Sequence, residues 1–150
     1  VIGGGFDAEL WIAGEGYYKG RLTRLAKKLD LEKSVKFLGA KWHKELAVLY
    51  NKADIFVLAN FQEITPAVNE ALACGKPVVA MECGGFEYAI PDDSYGIISK
   101  KFDVDDMAQK IIYLIRKKAA AHKMAEKGRK RVLENFTIEK VGEKLYRCFS

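Results

Sequence analysis

Two acidic side chains, Glu63 and Glu70, flank a predicted helix start and are suited to binding chemistry. A carboxylate can accept hydrogen bonds from two hydroxyl groups at once, which suits a hydroxyl-rich ligand. Thr65 and Pro66 lie between the acids and predict a helix N-terminus, whose unpaired N–H groups attract anions. These residue types indicate a ligand that combines sugar hydroxyls with phosphate. On chemistry alone the alternative stays open that one acid is a solvated loop residue and the other a surface helix residue.

Two glycine-containing turns could bring backbone N–H groups close to a phosphate. Gly14-Glu15-Gly16 follows one apolar segment, and Gly84-Gly85 follows another. Glycine lets the backbone approach a ligand closely, and successive N–H groups in a turn attract anions. The alternative for both turns is a simple connection into the next helix.

A strand–helix–strand unit at residues 55–80 positions the two acids. The apolar run at 55–59 predicts a strand covered on both faces, and Val78-Val79-Ala80-Met81 predicts a second one. Between them Pro66 opens a helix, and Gly75 is expected to end it in a left-handed conformation. Strands joined in this way are parallel with a right-handed crossover, and ligands bind beyond their carboxyl ends.

The rest of the chain alternates between strand and helix patterns. Strands are predicted at 9–13, 34–38 and 96–98, and helices at 18–29, 44–53, 107–115, 119–134 and 138–149. Asp103 and Thr137 are expected to cap the two helices that follow them. The pattern predicts an α/β fold: a doubly wound, mostly parallel sheet of five or six strands with helices on both faces.

Composition is that of a soluble globular domain. The 150 residues are 49% hydrophobic and 30% charged, and no apolar run approaches the ~20 residues of a membrane helix. The net charge of +5 suits an anionic ligand or a membrane surface and does not demand nucleic acid. The three cysteines lack metal-ligand spacing, so no metal site is expected. The chain opens without Met or a basic leader, which favours an excised domain.

The stretch FQEITPAVNEALACGKPVVAMECGG resembles the signature region of retaining GT-B glycosyltransferases that use nucleotide-diphospho-sugars. Glu70 fits the second acidic position of that signature, followed by Ala71 and then by Cys74-Gly75. At the family's spacing the first acidic position falls on Gln62, whereas the nearest acid is Glu63, one residue closer to Glu70. Glu63 is preferred for that position, and Gln62 stays open. The stretch LWIAGEGYYKGRLTRLAKKLDLEKSVKFLG is similar to the family's strand, Gly-x-Gly turn, helix and strand.

The resemblance implies a Rossmann-like domain, the C-terminal donor-binding half of a GT-B fold, covering residues 1–150. It implies that Glu70 holds ribose hydroxyls and that Glu63 (or Gln62) contacts the donor sugar as the catalytic position. The loop after the second strand, with Trp42 or His43, would meet the nucleotide base. The residues expected to bind the donor are Glu70, Gly14, Gly16, Gly84, Gly85 and Lys41.

The implied function is retaining transfer of a sugar from a nucleotide-diphospho-sugar to a hydroxyl acceptor, without a metal or a separate cofactor. The acceptor is expected to be a sugar, a polysaccharide or a lipid-linked molecule, bound by an N-terminal domain that is absent here. The chain alone is therefore expected to be inactive. A non-catalytic nucleotide-sugar-binding module and another GT-B enzyme, such as a nucleotide-sugar epimerase, stay open. The expected location is cytoplasmic, and for the basic run at 123–131 contact with acidic lipids is the alternative to a solvated face.

Overall fold

A computed structural model of the chain describes residues 5–60 and 66–149, without the side chain of Glu87. Strands that pair in parallel alternate with helices as far as the last described strand, and three helices follow it in succession. The chain divides into two compact units, Val1–Leu46 and Ala47–Ser150. The predicted α/β character is confirmed.

The first unit is a strand–helix–strand arrangement. It contains β1 (Leu10–Ala13), α1 (Lys19–Lys28) and β2 (Val35–Gly39), and α2 (Lys44–Lys52) begins in it. The two strands are parallel, with Leu10 opposite Val35 and Ala13 opposite Gly39. The register shifts between Ile12 and Ala13, so this ladder is irregular at its carboxyl end, where the predicted Gly14–Gly16 turn begins.

The second unit holds a three-stranded parallel sheet with the order β3-β4-β5. Its elements are β3 (Phe56–Leu58), α3 (Pro66–Ala73), β4 (Val78–Met81), a short 3₁₀ helix (Phe86–Tyr88), β5 (Ile97–Ser99), α4 (Val104–Arg116), α5 (Lys118–Asn135) and α6 (Ile138–Phe149). Phe56 lies opposite Val78, and Val79 lies opposite Ile97. The three carboxyl ends therefore meet at one edge of the sheet.

The central strand β4 forms the middle of the core. All four of its residues are buried, so both of its faces are covered. The core cluster joins this strand to β5 and to the two helices that follow it. Its buried members are Val79, Ile97, Leu114, Ala121 and Met124. Burial of these aliphatic side chains is the main favourable contribution to folding of the unit.

The helix α3 begins and ends as its sequence predicts. Pro66 is its first residue. At its end Gly75 has a φ of 67°, the left-handed conformation that glycine adopts at no steric cost. The Gly75 N–H donates to the Leu72 carbonyl at 2.8 Å, and the Lys76 N–H donates to the Ala71 carbonyl at 3.0 Å. This pair of bonds is a Schellman motif, which satisfies the last carbonyl groups of the helix.

One expectation about the sheet needs correction. Residues 55–59 were predicted to form a strand covered on both faces, but the residues of β3 are only half-buried. The reason is that β3 lies at the edge of its sheet, whereas β4 is central. Five or six strands were also predicted. The described ranges contain five strands that pair into one two-stranded and one three-stranded sheet.

Candidate functional site

The loop that follows β4 is tied to the carboxyl end of β5. The Glu82 N–H donates to the Ser99 carbonyl at 2.8 Å, directly after β4 ends at Met81. Gly84 and Gly85 come next, as a turn into the 3₁₀ helix Phe86–Tyr88. This position, beyond the carboxyl ends of parallel strands, is where open α/β sheets bind ligands.

The two glycines of this turn differ in what they require. Gly85 has a φ of 95°, which side-chain-bearing residues rarely adopt, so its backbone demands glycine. At Gly84 no such φ occurs, and an added Cβ would meet nothing within 4 Å. Folding alone therefore does not explain glycine at position 84, and close approach of a ligand to the backbone is one reason for it.

Glu70 is an exposed acid in the second turn of α3, and a buried tyrosine holds it. The Tyr50 hydroxyl donates to the Glu70 Oε2 at 2.9 Å. Tyr50 lies in α2, is 8% exposed, and packs edge-on against the Phe56 ring with the ring centroids 5.5 Å apart. Burial of Tyr50, and then the nearby Glu70 carboxylate, raise the pKa of the tyrosine well above its usual value. The acid of the predicted site is thus anchored to the core.

The sequence patterns did not predict a partner for Tyr50. The contact joins residues 20 positions apart in the chain, so no local pattern predicts it. The available signal was general: a buried tyrosine hydroxyl usually finds a hydrogen-bond partner.

The first unit brings the Gly14–Gly16 turn against the end of β2. The Gly14 N–H donates to the Gly39 carbonyl at 2.8 Å. Gly14 has a φ of 130°, which favours glycine. An added Cβ at Gly14 or at Gly16 would meet nothing within 4 Å. The turn after β1 and the loop after β2 therefore lie at the same edge, as parallel pairing requires.

Lys41 is expected to contact the donor, but its side chain forms an ion pair with Glu45 of α2. Its Nζ lies 3.1 Å from the Glu45 Oε1. The Lys41 hydrogen bond and charge lower the pKa of the Glu45 carboxyl. The neighbouring Trp42 is 70% exposed, which leaves its ring accessible to a stacking partner. The Lys41 ammonium would have to leave or share this acid in order to bind an anion.

The structure groups the predicted residues by unit. Gly14, Gly16 and Lys41 lie at the carboxyl edge of the first unit, and Glu70, Gly84 and Gly85 belong to the second. The two residues proposed for the catalytic position, Gln62 and Glu63, lie outside the described residues together with Thr65.

No group of three or more histidine, cysteine, aspartate or glutamate residues in the described ranges could hold a metal ion. None of the helices described is both long and apolar enough to cross a bilayer.

Comparison with known proteins gives a family match and named relatives. Residues 6–131 match the family model described as "Glycosyl transferases group 1". A GDP-mannose-dependent monoacylated alpha-(1-6)-phosphatidylinositol monomannoside mannosyltransferase from Corynebacterium glutamicum is 31% identical over 153 aligned positions, covering 97% of this chain and 39% of that protein. A D-inositol 3-phosphate glycosyltransferase from Mycobacterium bovis is 36% identical over 96 residues, covering 63% of this chain and 20% of that protein.

Solved structures share the fold. Sucrose-phosphate synthase from Thermosynechococcus elongatus matches with a TM-score of 0.84 and 27% identity, over 94% of this chain and 37% of that one. Anabaena HepE in complex with UDP matches with a TM-score of 0.88 and 20% identity, over 95% of this chain and 40% of that one. These matches confirm the prediction of a Rossmann-like half of a GT-B fold. The chain spans about two fifths, or less, of the length of each protein named here.

Proposed function

Because the chain belongs to the glycosyl transferases group 1 family, we propose that it is the domain that binds the nucleotide-diphospho-sugar donor in a retaining glycosyltransferase. The observation that carries the proposal is the Glu70 carboxylate. Glu70 is exposed in the second turn of α3 and fits the second acidic position of the family signature. It accepts a hydrogen bond from the hydroxyl of the buried Tyr50. An oriented surface carboxylate is suited to accept hydrogen bonds from the two ribose hydroxyls of a nucleotide.

The other predicted residues receive roles that fit their positions. The backbone of Gly84 and Gly85 would approach the donor diphosphate and stabilise it as the leaving group. Gly14, Gly16 and Lys41 stay proposed contacts of the donor. Glu63, with Gln62 as the alternative, would contact the donor sugar near its reacting carbon.

Backbone N–H groups, the N-terminus of α3 and basic side chains would stabilise the leaving-group charge, so we propose transfer without a metal or a separate cofactor. The hydroxyl acceptor, whether a sugar, a polysaccharide or a lipid-linked molecule, would be bound mainly by an N-terminal domain of the same enzyme. The cytoplasm, with peripheral contact at the inner face of the membrane, is the location that we propose for such an enzyme.

The test is a pair of substitutions in the intact protein that carries this chain, Glu63→Gln and Glu70→Gln. We expect Glu63→Gln to lower kcat and Glu70→Gln to raise KM for the donor. An exposed acid on α5, changed by Glu126→Gln, provides the matched control and should alter neither constant. If Glu63→Gln changes only donor affinity, the chain is a non-catalytic binding module. If neither substitution alters either constant, the proposed site is wrong.

The isolated 150-residue chain is expected to bind donor weakly and to transfer no sugar. Transfer requires the acceptor hydroxyl to be held close to the donor carbon, and this orientation supplies much of the rate enhancement. Release of nucleotide diphosphate from a labelled donor, with an added acceptor, measures this. Sustained turnover by the isolated chain would refute the assignment of acceptor binding to another domain.

A further inference from the structure

The Tyr50 hydroxyl donates a hydrogen bond to the Glu70 carboxylate, and folding does not require Glu70 to have this partner. Tyr50 is 8% exposed, so its hydroxyl needs a partner. Glu70 is exposed, and water could solvate its carboxylate without any protein partner. The hydrogen bond of 2.9 Å nevertheless joins them. The contact therefore restricts a surface side chain that would otherwise sample several rotamers.

The bond leaves acceptor capacity on the carboxylate. An ionised carboxylate has about four lone-pair sites on its two oxygens. Tyr50 occupies one site on Oε2. In the described part of the chain, Oε1 has no hydrogen-bond partner. Glu70 is thus fixed through one oxygen and still able to accept further hydroxyl hydrogen bonds.

Tyr50 is connected to the sheet by its packing contacts. Its ring packs at 64° to the ring of Phe56, which belongs to β3, and β3 pairs with the buried strand β4. The side chain of Lys76 donates to the Asn51 carbonyl at 2.9 Å, which links the end of α2 to the chain after α3. Through Tyr50, the carboxylate on α3 is therefore held in position relative to the sheet.

We propose that Tyr50 is a positioning residue for Glu70: its hydroxyl holds the carboxylate in the orientation that receives the ribose hydroxyls of the donor nucleotide. Through that carboxylate it sets the preference for ribonucleotides over 2′-deoxyribonucleotides. This inference rests on the proposed function, because it assigns to Glu70 the binding of ribose.

The substitution Tyr50→Phe removes one hydroxyl and keeps the ring contact with Phe56. Glu70 then regains rotamer freedom, which has to be lost again when the nucleotide binds. We expect affinity for the ribonucleotide diphosphate to fall about tenfold, the change that about 1.4 kcal/mol produces. The 2′-deoxy counterpart, which offers one hydroxyl less to the carboxylate, should lose less affinity, so the preference for ribose should narrow.

The experiment is calorimetric titration of the whole chain with UDP, GDP and ADP and with their 2′-deoxy counterparts. The proteins are the wild type, Tyr50→Phe, Glu70→Gln and the double variant Tyr50→Phe/Glu70→Gln. Tyr113→Phe, which removes a hydroxyl from a half-exposed tyrosine of α4, is the matched control. The ratio of ribo to deoxy affinity is the decisive readout, because a loss of folded protein lowers both affinities together and leaves their ratio unchanged.

We expect Tyr50→Phe to narrow the ratio, Tyr113→Phe to leave it unchanged, and the double variant to bind no more weakly than Glu70→Gln alone. Such non-additivity is the mark of two residues that act as one unit. Unchanged binding by Tyr50→Phe, or effects of the two single changes that add, would overturn the inference and leave the proposed function standing. If the wild-type chain binds none of the six nucleotides, the proposed function itself is overturned, and this inference falls with it.

Discussion

Gly84 is the residue at which a ligand role can be separated from a folding role. An added Cβ there would meet nothing within 4 Å in the folded chain, and its φ is outside the left-handed region. We expect Gly84→Ala to leave the thermal midpoint nearly unchanged and to weaken nucleotide-diphosphate binding about tenfold, or about 1.4 kcal/mol. The reason is that a methyl group would stand where the backbone approaches the diphosphate.

Gly20→Ala is the matched control, because an added Cβ at Gly20 also meets nothing within 4 Å. Titration of both variants with the nucleotide that the wild type binds measures the difference. Equal affinities for Gly84→Ala and the wild type would show that the turn after β4 does not bind the nucleotide.

Asp106 predicts a pH dependence of stability. Its Oδ2 accepts the Lys100 N–H at 2.8 Å and lies 3.0 Å from the Lys110 Nζ. The Lys100 N–H, followed by Lys110, lowers the pKa of the Asp106 carboxyl below its usual value. A carboxyl with a lowered pKa in the folded state stabilises above its unfolded pKa, and this stability is lost as pH falls through the folded value.

We therefore expect Asp106→Asn to lower the urea midpoint at pH 7, and the gap from the wild type to narrow as the pH is brought down through the acid range. Asp105→Asn, on an exposed residue of the same helical turn, should shift the midpoint less at each pH. A gap for Asp106→Asn that stays constant with pH would contradict the assignment of these contacts to the ionised carboxylate.

At the scale of the residue, sequence predicted what depends on type and local order. Gly84, Gly85 and Glu70 stand out because of their chemistry and the family signature. The Tyr50 bond to Glu70 and the Lys41 pairing with Glu45 were not predicted. The Tyr50 bond depends on how two helices lie relative to each other in the fold. The Lys41 pairing competes with the ligand role expected of Lys41, and the sequence alone does not decide between the two.

At the scale of the element, the close packing of α3 against α5 depends on Gly128. An added Cβ there would lie 2.6 Å from the Leu72 Cδ2 and 2.9 Å from the Tyr95 carbonyl oxygen. The Tyr95 oxygen is a backbone atom of the loop before β5 and cannot move as a flexible side chain can, so α5 would have to shift away from that loop and from Leu72. We expect Gly128→Ala to destabilise the chain by about 1–3 kcal/mol, in the range of overpacked cores, as measured by urea unfolding.

Gly142→Ala is the matched helical control. It lies in α6, where an added Cβ meets nothing within 4 Å. Here the substitution should stabilise by about 0.5–1 kcal/mol, because alanine has the higher helix propensity. If both substitutions stabilise, the contact of α5 with α3 is looser than the structure indicates.

Element ends were predictable where a local signal fixes them. Asp103 was expected to cap α4, and its Oδ1 accepts the Asp106 N–H at 2.8 Å. Gly75 was expected to end α3, and it does. The burial of β3 was predicted wrongly, because whether a strand is central or at an edge depends on its neighbours in the sheet and not on its own sequence.

At the scale of the whole molecule, the predicted fold class is confirmed, and the family is established by the match over residues 6–131. Alternating strand and helix patterns carry enough information for this, since few topologies accommodate them. Sequence leaves the base, the sugar and the acceptor undetermined because these depend on a few loop atoms, including the positions of Gln62 and Glu63. The named relatives are also much longer than this chain, so acceptor recognition is a prediction about the intact protein.

The measurement that tests the central claim most directly is thermal unfolding of this chain with UDP, GDP and ADP at saturating concentration. A ligand that binds only the folded state adds about 2.7 kcal/mol of stability at 100 times its dissociation constant. We predict that one of the three nucleotides raises the unfolding midpoint and that Glu70→Gln reduces the shift. If none of the three changes the midpoint, the claim that this domain binds the nucleotide-sugar donor is contradicted.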